Sequence, residues 1–225
     1  MLVKNWMSKE VVTVHVNDTL QDAVKLLRER GIRMLPVVEQ GELVGIVTDR
    51  DMKRASASDA TTLDVHELIH LVSTIEIKHI MTKNPITVPF DFTVEETAEV
   101  LLKNKISGVP VLNHDKEIVG TITQTDLFKV LISLTGAGAK GLQFAFEAKD
   151  RPGSIKEIAD IIRKYGGRIV SILSAYENVP QGYRKVYVRM HSIDRFELSR
   201  MKKELKEKAT LLYLVDHREN LREVY

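Results

Sequence analysis

Leu43-Val44-Gly45-Ile46-Val47-Thr48-Asp49-Arg50-Asp51 is an apolar run that gives way to charge. Two valines and an isoleucine read as a buried strand that stops at Thr48, where a helical turn begins. Gly45 lets another backbone or a ligand come close. Thr48 and Asp51 stand three apart, on one face of the first helical turn. The same grammar returns as Gly120-Thr121-Ile122-Thr123-Gln124-Thr125-Asp126. Two copies of one strand-to-helix junction point to two copies of one pocket.

Two readings of Gly-x-x-Thr-x-x-Asp stand side by side. In the first, the carboxylate accepts from both hydroxyls of a ribose while the threonine hydroxyl donates to a phosphate oxygen. The helix N-terminus adds amide donors and a positive dipole end for that phosphate. In the second, Thr48…Asp51 and Thr123…Asp126 are capping boxes, each worth about 0.5–2 kcal/mol of local stability. A duplication copies a cap as faithfully as a pocket, so recurrence alone does not choose between them.

With 225 residues and 44% hydrophobic content, the chain can bury more than one core, as two or three small domains. No apolar run approaches the length of a membrane-spanning helix, and the N-terminus lacks the charged-then-apolar pattern of a secretion signal. The chain contains no cysteine, hence no disulfide or thiolate chemistry, which suits a cytoplasmic protein. The 33 basic and 31 acidic residues nearly balance, which gives no support for bulk nucleic-acid binding.

Working outward, Val3-Lys4-Asn5-Trp6-Met7-Ser8 leads into Val11-Val12-Thr13-Val14, and Ile77-Lys78-His79-Ile80-Met81-Thr82 leads into Pro85-Ile86-Thr87-Val88. Trp6 reads as a packing residue. An amphipathic helix opens at Thr19 with Leu20, Ala23, Val24 and Leu27 on one face; its counterpart opens at Thr93 with Val94, Thr97, Ala98 and Leu101. Each has an acid three residues after the threonine, Asp22 and Glu96, a helix-start signature. Leu35-Pro36-Val37-Val38 and Val109-Pro110-Val111-Leu112 follow at the same 74-residue offset, which becomes 75 after the next hairpin. The first half of the chain is an internal repeat.

The order Met-Ser/Thr, x-Thr-Val, helix, x-Pro-Val, hairpin and Gly-x-x-Thr-x-x-Asp resembles the CBS domain, and residues 1–135 look like two in tandem, a Bateman module. The resemblance implies clefts that bind adenosine-type ligands: AMP, ADP, ATP, S-adenosylmethionine or a cyclic dinucleotide. It assigns Thr48 and Asp51 to ribose and phosphate in one cleft and Thr123 and Asp126 in the other. Val12, Thr13, Ile86 and Thr87 would flank the base, with the turns before Pro36 and Pro110. Arg33, Arg50, Lys53 and Arg54 surround the first copy, against Ser107, Gln124, Thr125 and Lys129 at the second. Arginine suits phosphate through its donor fork, so the first cleft is expected to prefer the more phosphorylated ligand, unless these are ordinary solvated charges.

Between the repeats, Ala55 to Thr62 reads as a loop and Leu63 to Val72 as a helix. His66-Glu67-Leu68-Ile69-His70 is a literal His-Glu-x-x-His, in which two histidines would hold zinc beside Glu67 as general base. No third ligand follows, and no metal is expected.

Thr135-Gly136-Ala137-Gly138-Ala139-Lys140 is a linker. Beyond it, Leu142, Phe144 and Phe146 alternate as a strand, and Ser154 opens a helix with Ile155, Ile158, Ala159 and Ile162 buried. Arg168–Tyr176 and Arg184–His191 are strands, Asp194 begins a helix carrying Phe196, Leu198, Met201 and Leu205, and Leu211–Val215 is a last strand. This βαββαβ order is the ferredoxin-like split arrangement. With Asp150-Arg151-Pro152-Gly153-Ser154-Ile155 and Tyr165-Gly166-Gly167-Arg168-Ile169 it resembles an ACT domain. That implies edge-to-edge dimers and an amino acid bound near Gly153, although Arg168 stands where the family often has asparagine. Tyr183, Arg184, Lys185, Tyr187 and Arg189 mix aromatics with cations, but strand alternation breaks any continuous nucleic-acid surface. The tail His217–Tyr225 is charged and expected to fray or to bind a partner.

The expected fold class is mixed α+β and α/β. CBS repeats at 1–62 and 77–135 are joined by a linker helix at 63–76; a linker at 136–140, an ACT domain at 141–216 and a tail at 217–225 complete the chain. Two CBS repeats followed by an ACT domain resemble the AcuB-type proteins of acetoin utilisation. The resemblance implies a cytoplasmic, homodimeric, non-catalytic sensor with an adenine nucleotide as regulatory ligand and an unidentified regulated protein as partner. No membrane or nucleic acid is expected. The alternatives are an amino-acid sensor and, remotely, a zinc peptidase.

Overall fold

The structure, a computed structural model, describes residues 1–58 and 73–225. It divides into two compact units, Met1–Phe128 and Lys129–Tyr225. Among the described residues no helix is long and apolar enough to cross a membrane.

Each repeat builds a small sheet with two helices, the last of which runs past the end of the first unit. The first comprises β1 (Val14–His15), α1 (Leu20–Arg30), β2 (Met34–Glu39), β3 (Glu42–Thr48) and α2 (Asp49–Ser58). After β4 (Thr82–Lys83), the second comprises β5 (Val88–Pro89), α3 (Val94–Asn104), β6 (Gly108–Leu112), β7 (Ile118–Thr123) and α4 (Gln124–Thr135). In each, a short parallel strand pairs with the antiparallel hairpin, Val14 with Val37 and Val88 with Val111. The expected loop at Ala55 is still helix, since α2 runs to Ser58; alanine favours the helix and serine tolerates it. Residues 59–72, and with them the rest of that expected loop and the His-Glu-x-x-His motif, lie outside the described residues.

The opening segment of each repeat packs against the other. The 3₁₀ turn Val3–Asn5 places Val3, fully buried, in a core with Val88, Leu101, Val109, Val111 and Ile122 of the second repeat. The turn Ile77–His79 places Ile77, also fully buried, with Leu20, Leu35, Val37 and Val47 of the first. Backbone pairing follows the same exchange: Thr82 and Lys83 pair with Ile46 and Gly45, and Ser8 bridges Thr121. The two glycines of the quoted motif make room for it. A Cβ on Gly45 would lie 2.5 Å from the Met81 sulfur, and one on Gly120 would lie 2.5 Å from the Met7 sulfur. The close approach read from Gly45 is therefore made by a methionine of the exchanged segment.

The second unit has β8 (Leu142–Lys149), α5 (Ser154–Lys164), β9 (Arg168–Ala175), β10 (Tyr183–His191), α6 (Leu198–Lys208), β11 (Thr210–Asp216) and β12 (Leu221–Val224). The sheet order is β12-β11-β8-β10-β9, antiparallel throughout. The expected βαββαβ order is present, with one strand more. The tail, expected to fray, supplies it: β12 hydrogen-bonds to β11, and Glu223 is held by Lys202 on α6. Phe144 and Phe146, rings stacked at 5.8 Å, meet Ile158, Ile162, Met201 and Leu205 in the core. The last helix starts at Leu198 rather than Asp194, because the Asp194 carboxylate accepts the Phe196 N–H (3.0 Å) in a turn of its own. Phe196, expected within that helix, lies before it and is 91% exposed.

Along β10, Val186, Val188 and Met190 face this core, so Tyr187 and Arg189 face the other way. Arg189 is buried, donating to the Thr135 carbonyl and to Gln143 (both 2.8 Å), and desolvation pulls its pKa down. It is withdrawn from the mixed aromatic and cationic surface considered above.

Candidate functional site

Each repeated junction sits where the last hairpin strand becomes a helix. The Asp49 N–H donates to the Arg33 carbonyl (3.1 Å) and the Gln124 N–H to that of Ser107 (2.9 Å), so the start of each helix is tied to the residue just before its hairpin, β2–β3 or β6–β7. At the first junction, the Thr48 N–H (2.9 Å) and hydroxyl (2.6 Å) donate to Asp51 Oδ2, and the Asp51 N–H points back at the Thr48 oxygen (3.4 Å). At the second, the Thr123 N–H (3.0 Å) and hydroxyl (2.7 Å) donate to Asp126 Oδ2. Asp126 is 9% exposed.

The first is a capping box and the second shows its threonine-to-aspartate half, so the second of the two readings describes the local geometry. The first is changed in one respect. Each threonine proton is given to the aspartate, so the hydroxyl can donate to a phosphate only if that bond opens. All three hydrogen bonds at the first junction spare Asp51 Oδ1. A carboxylate with one oxygen in a cap retains the other as an acceptor.

Val12, Thr13, Ile86 and Thr87 lie on the two segments that cross between the repeats. Ser8 bridges β7 and Val14 pairs with β2, so residues 9–13 pass from the second repeat to the first. Lys83 pairs with β3 and Val88 with β6, so residues 84–87 pass back. Val12 packs on the first core; Thr13 is exposed, Ile86 is 40% exposed and Thr87 is half-buried.

The expected basic group separates. Arg33 and Lys53 line a cavity of about 500 Å³ between α1 and α2, with Val24, Leu27, Arg28, Ile32, Asp49 and Met52. Arg50 and Arg54 do not line it, nor do Thr48 and Asp51. Asp49, Met52 and Lys53 share the side of α2 that faces α1, and Asp51 is turned about 200° from Asp49 around the helix. The sequence reading overlooked Arg28, a helix position whose cavity role depends on the packing of α2.

In the second unit, Gly153 caps α5 at φ +88° with open space where a Cβ would stand. Arg151 holds Glu157 through two contacts (2.7 and 2.9 Å), and Arg184 reaches Ser154 (3.1 Å) and Asp150 (3.4 Å). Among the described residues no group of three or more His, Cys, Asp or Glu is placed to hold a metal.

The family model for the CBS domain matches residues 3–58 and 77–133, just over half of the chain. The chain belongs to the CBS domain family. A CBS domain-containing protein of Dictyostelium discoideum is 33% identical over 135 residues, 60% of this chain and 93% of that protein. An inosine-5'-monophosphate dehydrogenase of Korarchaeum cryptofilum is 34% identical over 125 residues, but this CBS pair spans only 23% of the enzyme. Among solved structures, the CBS domain pair of protein MJ0100, in complex with 5'-methylthioadenosine and S-adenosyl-L-methionine, is 34% identical with a TM-score of 0.50, covering 58% of this chain and 99% of that one. A protein of Vibrio cholerae assigned to acetoin utilization (AcuB) is 27% identical with a TM-score of 0.51, covering 61% and 95%.

Proposed function

We propose that the CBS pair is a non-catalytic regulatory sensor for adenosine-type ligands: AMP, ADP, ATP, S-adenosylmethionine or a cyclic dinucleotide. The observation that carries this is the duplicated threonine–aspartate junction in a chain 34% identical to a CBS pair whose structure holds two adenosine compounds. In this reading Asp51 and Asp126 receive ribose hydroxyls, Thr48 and Thr123 turn toward phosphate, and Val12, Thr13, Ile86 and Thr87 flank the base. Arg33 and Arg50, against Ser107 and Thr125 at the second junction, favour the more phosphorylated ligand in the first cleft. A ligand regulates only through different affinities for two arrangements of the repeats, typically about 1–3 kcal/mol.

The βαββαβ unit is read as an ACT domain that pairs two copies, in a cytoplasmic homodimer acting on a partner protein. The open space at Gly153 also favours a second ligand, an amino acid at that turn; a shift in melting that follows amino acids and is lost in Gly153→Leu would support it.

Melting measured with AMP, ATP, S-adenosylmethionine, 5'-methylthioadenosine and cyclic dinucleotides tests the main reading. At one hundred times the dissociation constant, the expected gain is about 2.7 kcal/mol. Asp51→Asn and Asp126→Asn keep an acceptor for the cap while removing the charge, so they should still fold and unfold cooperatively but lose the response. If no adenosine compound moves the transition or gives heat on titration, the sensor reading fails.

A further inference from the structure

Helix α4 begins at the Thr123–Asp126 junction, within the first unit, and ends at Thr135, within the second. That end is gripped by the sheet of the second unit. The Thr135 carbonyl accepts from Arg189 Nε (2.8 Å) and from the Ser171 hydroxyl (2.9 Å), and Ser171 and Arg189 stand directly opposite each other on β9 and β10. Arg189 Nη2 donates to Gln143 Oε1 (2.8 Å) on β8, and Gln143 Nε2 to the Tyr213 hydroxyl (3.2 Å) on β11. Gly136 then turns the chain away at φ +63°, where a Cβ would lie 2.3 Å from Val170 Cγ1. By contrast, α1 and α3 end in left-handed residues, Gly31 and Lys105, whose N–H groups bond back into their own helices.

Arg189 is 6% exposed, its Nη1 has no hydrogen-bond partner, and among the described residues no carboxylate is bonded to it. The opposing charge it meets is the carbonyl end of α4, equivalent to about half an elementary charge. Withdrawing that end leaves a buried cation unpaired, so α4 cannot loosen there without disturbing β9 and β10. We propose that α4 and the β9–β10 pair open as one cooperative unit, with Arg189 as the positioning residue that joins them, so that the state of the second junction is read out in the second unit. The regulatory meaning rests on the sensor reading; the coupling itself does not. The two junctions are thereby ranked: Thr48–Asp51 starts α2, which lies wholly in the first unit and has no such grip on its end among the described residues.

Hydrogen exchange on the full chain tests the coupling without a ligand. Thr123→Ala removes the hydroxyl that ties Asp126 to the start of α4. Exchange in α4, β9 and β10 should then rise together, about fivefold for one hydrogen bond of ordinary strength. Thr93→Ala removes the corresponding hydroxyl at α3 and should leave β9 and β10 unchanged. With Arg189→Gln added, Thr123→Ala should still speed α4 but no longer β9 and β10. Ser171→Ala, which takes one donor and spares the charge, should shrink the transmitted effect and serves if the loss of Arg189 unfolds the second unit. The coupling is overturned if Thr123→Ala speeds α4 alone, if Thr93→Ala speeds β9 and β10 equally, or if Ser171→Ala and Arg189→Gln change nothing. Adding S-adenosylmethionine tests the readout separately: protection should rise in α4, β9 and β10 together and be lost in Asp126→Asn. If titration gives no heat with any adenosine compound, the sensor reading fails while Thr123→Ala still decides the coupling. If heat is released and β9 and β10 do not respond, the sensor stands and the readout through α4 falls.

Discussion

Among the described residues four threonines stand three residues before an acid at a helix start: Thr19, Thr48 and Thr93 close capping boxes with Asp22, Asp51 and Glu96, and Thr123 gives both its N–H and its hydroxyl to Asp126. Local chemistry therefore cannot separate the two junctions from ordinary helix starts; their place after the crossing segments does. The glycines three residues before Thr48 and Thr123 are more diagnostic. A Cβ on either would meet a methionine sulfur, but one on Gly120 would also lie 2.8 Å from the Ser8 carbonyl, whereas for one on Gly45 the nearest backbone contact, the Thr82 carbonyl, would be 3.2 Å away. A methionine can swing aside; a backbone carbonyl held in a bridge cannot. Gly45→Ala and Gly120→Ala should both lower stability in urea unfolding, within the range of about 1–3 kcal/mol typical of overpacking, with Gly120→Ala the costlier. Met81→Ala should recover much of the Gly45→Ala loss, and Met7→Ala much less of the Gly120→Ala loss. Equal rescue would mean that the sulfur, not the carbonyl, sets the cost at both sites.

At the scale of elements, what the sequence made legible is what repeats or alternates. Leu20, Ala23 and Leu27 on α1, and Val94, Thr97 and Leu101 on α3, are buried as the helical period requires, and the strands of the second unit follow from alternation at Leu142, Phe144 and Phe146. The misreadings arose where tertiary pairing overrides local pattern. β12 is a charged segment that forms a strand because β11 offers it an edge, and the start of α6 moved because an aspartate satisfied a nearer amide. Arg28 belongs to a cavity only because α2 packs beside it. The helix starts were readable and carry a pH signature. Asp22 is held below the ordinary carboxylate range by the Thr19 hydroxyl and then its N–H, and Glu96 by the Thr93 N–H and then its hydroxyl. A carboxylate whose pKa is depressed by folding stabilises fully above its unfolded value, and that contribution fades as pH falls through the folded one. Asp22→Asn and Glu96→Gln should therefore melt below the parent at neutral pH, with the difference closing as pH falls through the ordinary carboxylate range and below it. A difference that persists at the acid end would assign it to packing rather than to charge.

For the first unit as a whole, the decisive feature is the exchange of opening segments, which no periodicity announces because it joins residues far apart in the chain, 3 with 92 and 77 with 18. Val3 donates to the Phe92 carbonyl (2.8 Å), and Ile77 to that of Asp18 (2.9 Å), so each repeat is completed by residues written at the head of the other. In the proposed sensor, a movement of one repeat would be felt directly by the strands that enter the other. The exchange also inverts the expected effect of a core substitution. Ile77 heads the second repeat in sequence yet is wholly buried in the first core, and replacing it by alanine should cost about 2–5 kcal/mol. Amide exchange in Ile77→Ala should accelerate first in α1 and the β2–β3 hairpin, with β6–β7 following. Val3→Ala should show the opposite order, β6–β7 ahead of β2–β3. If each substitution instead loosened the repeat it heads in sequence, the segments would not be exchanged, and the coupling between repeats would have to run through their facing surfaces alone.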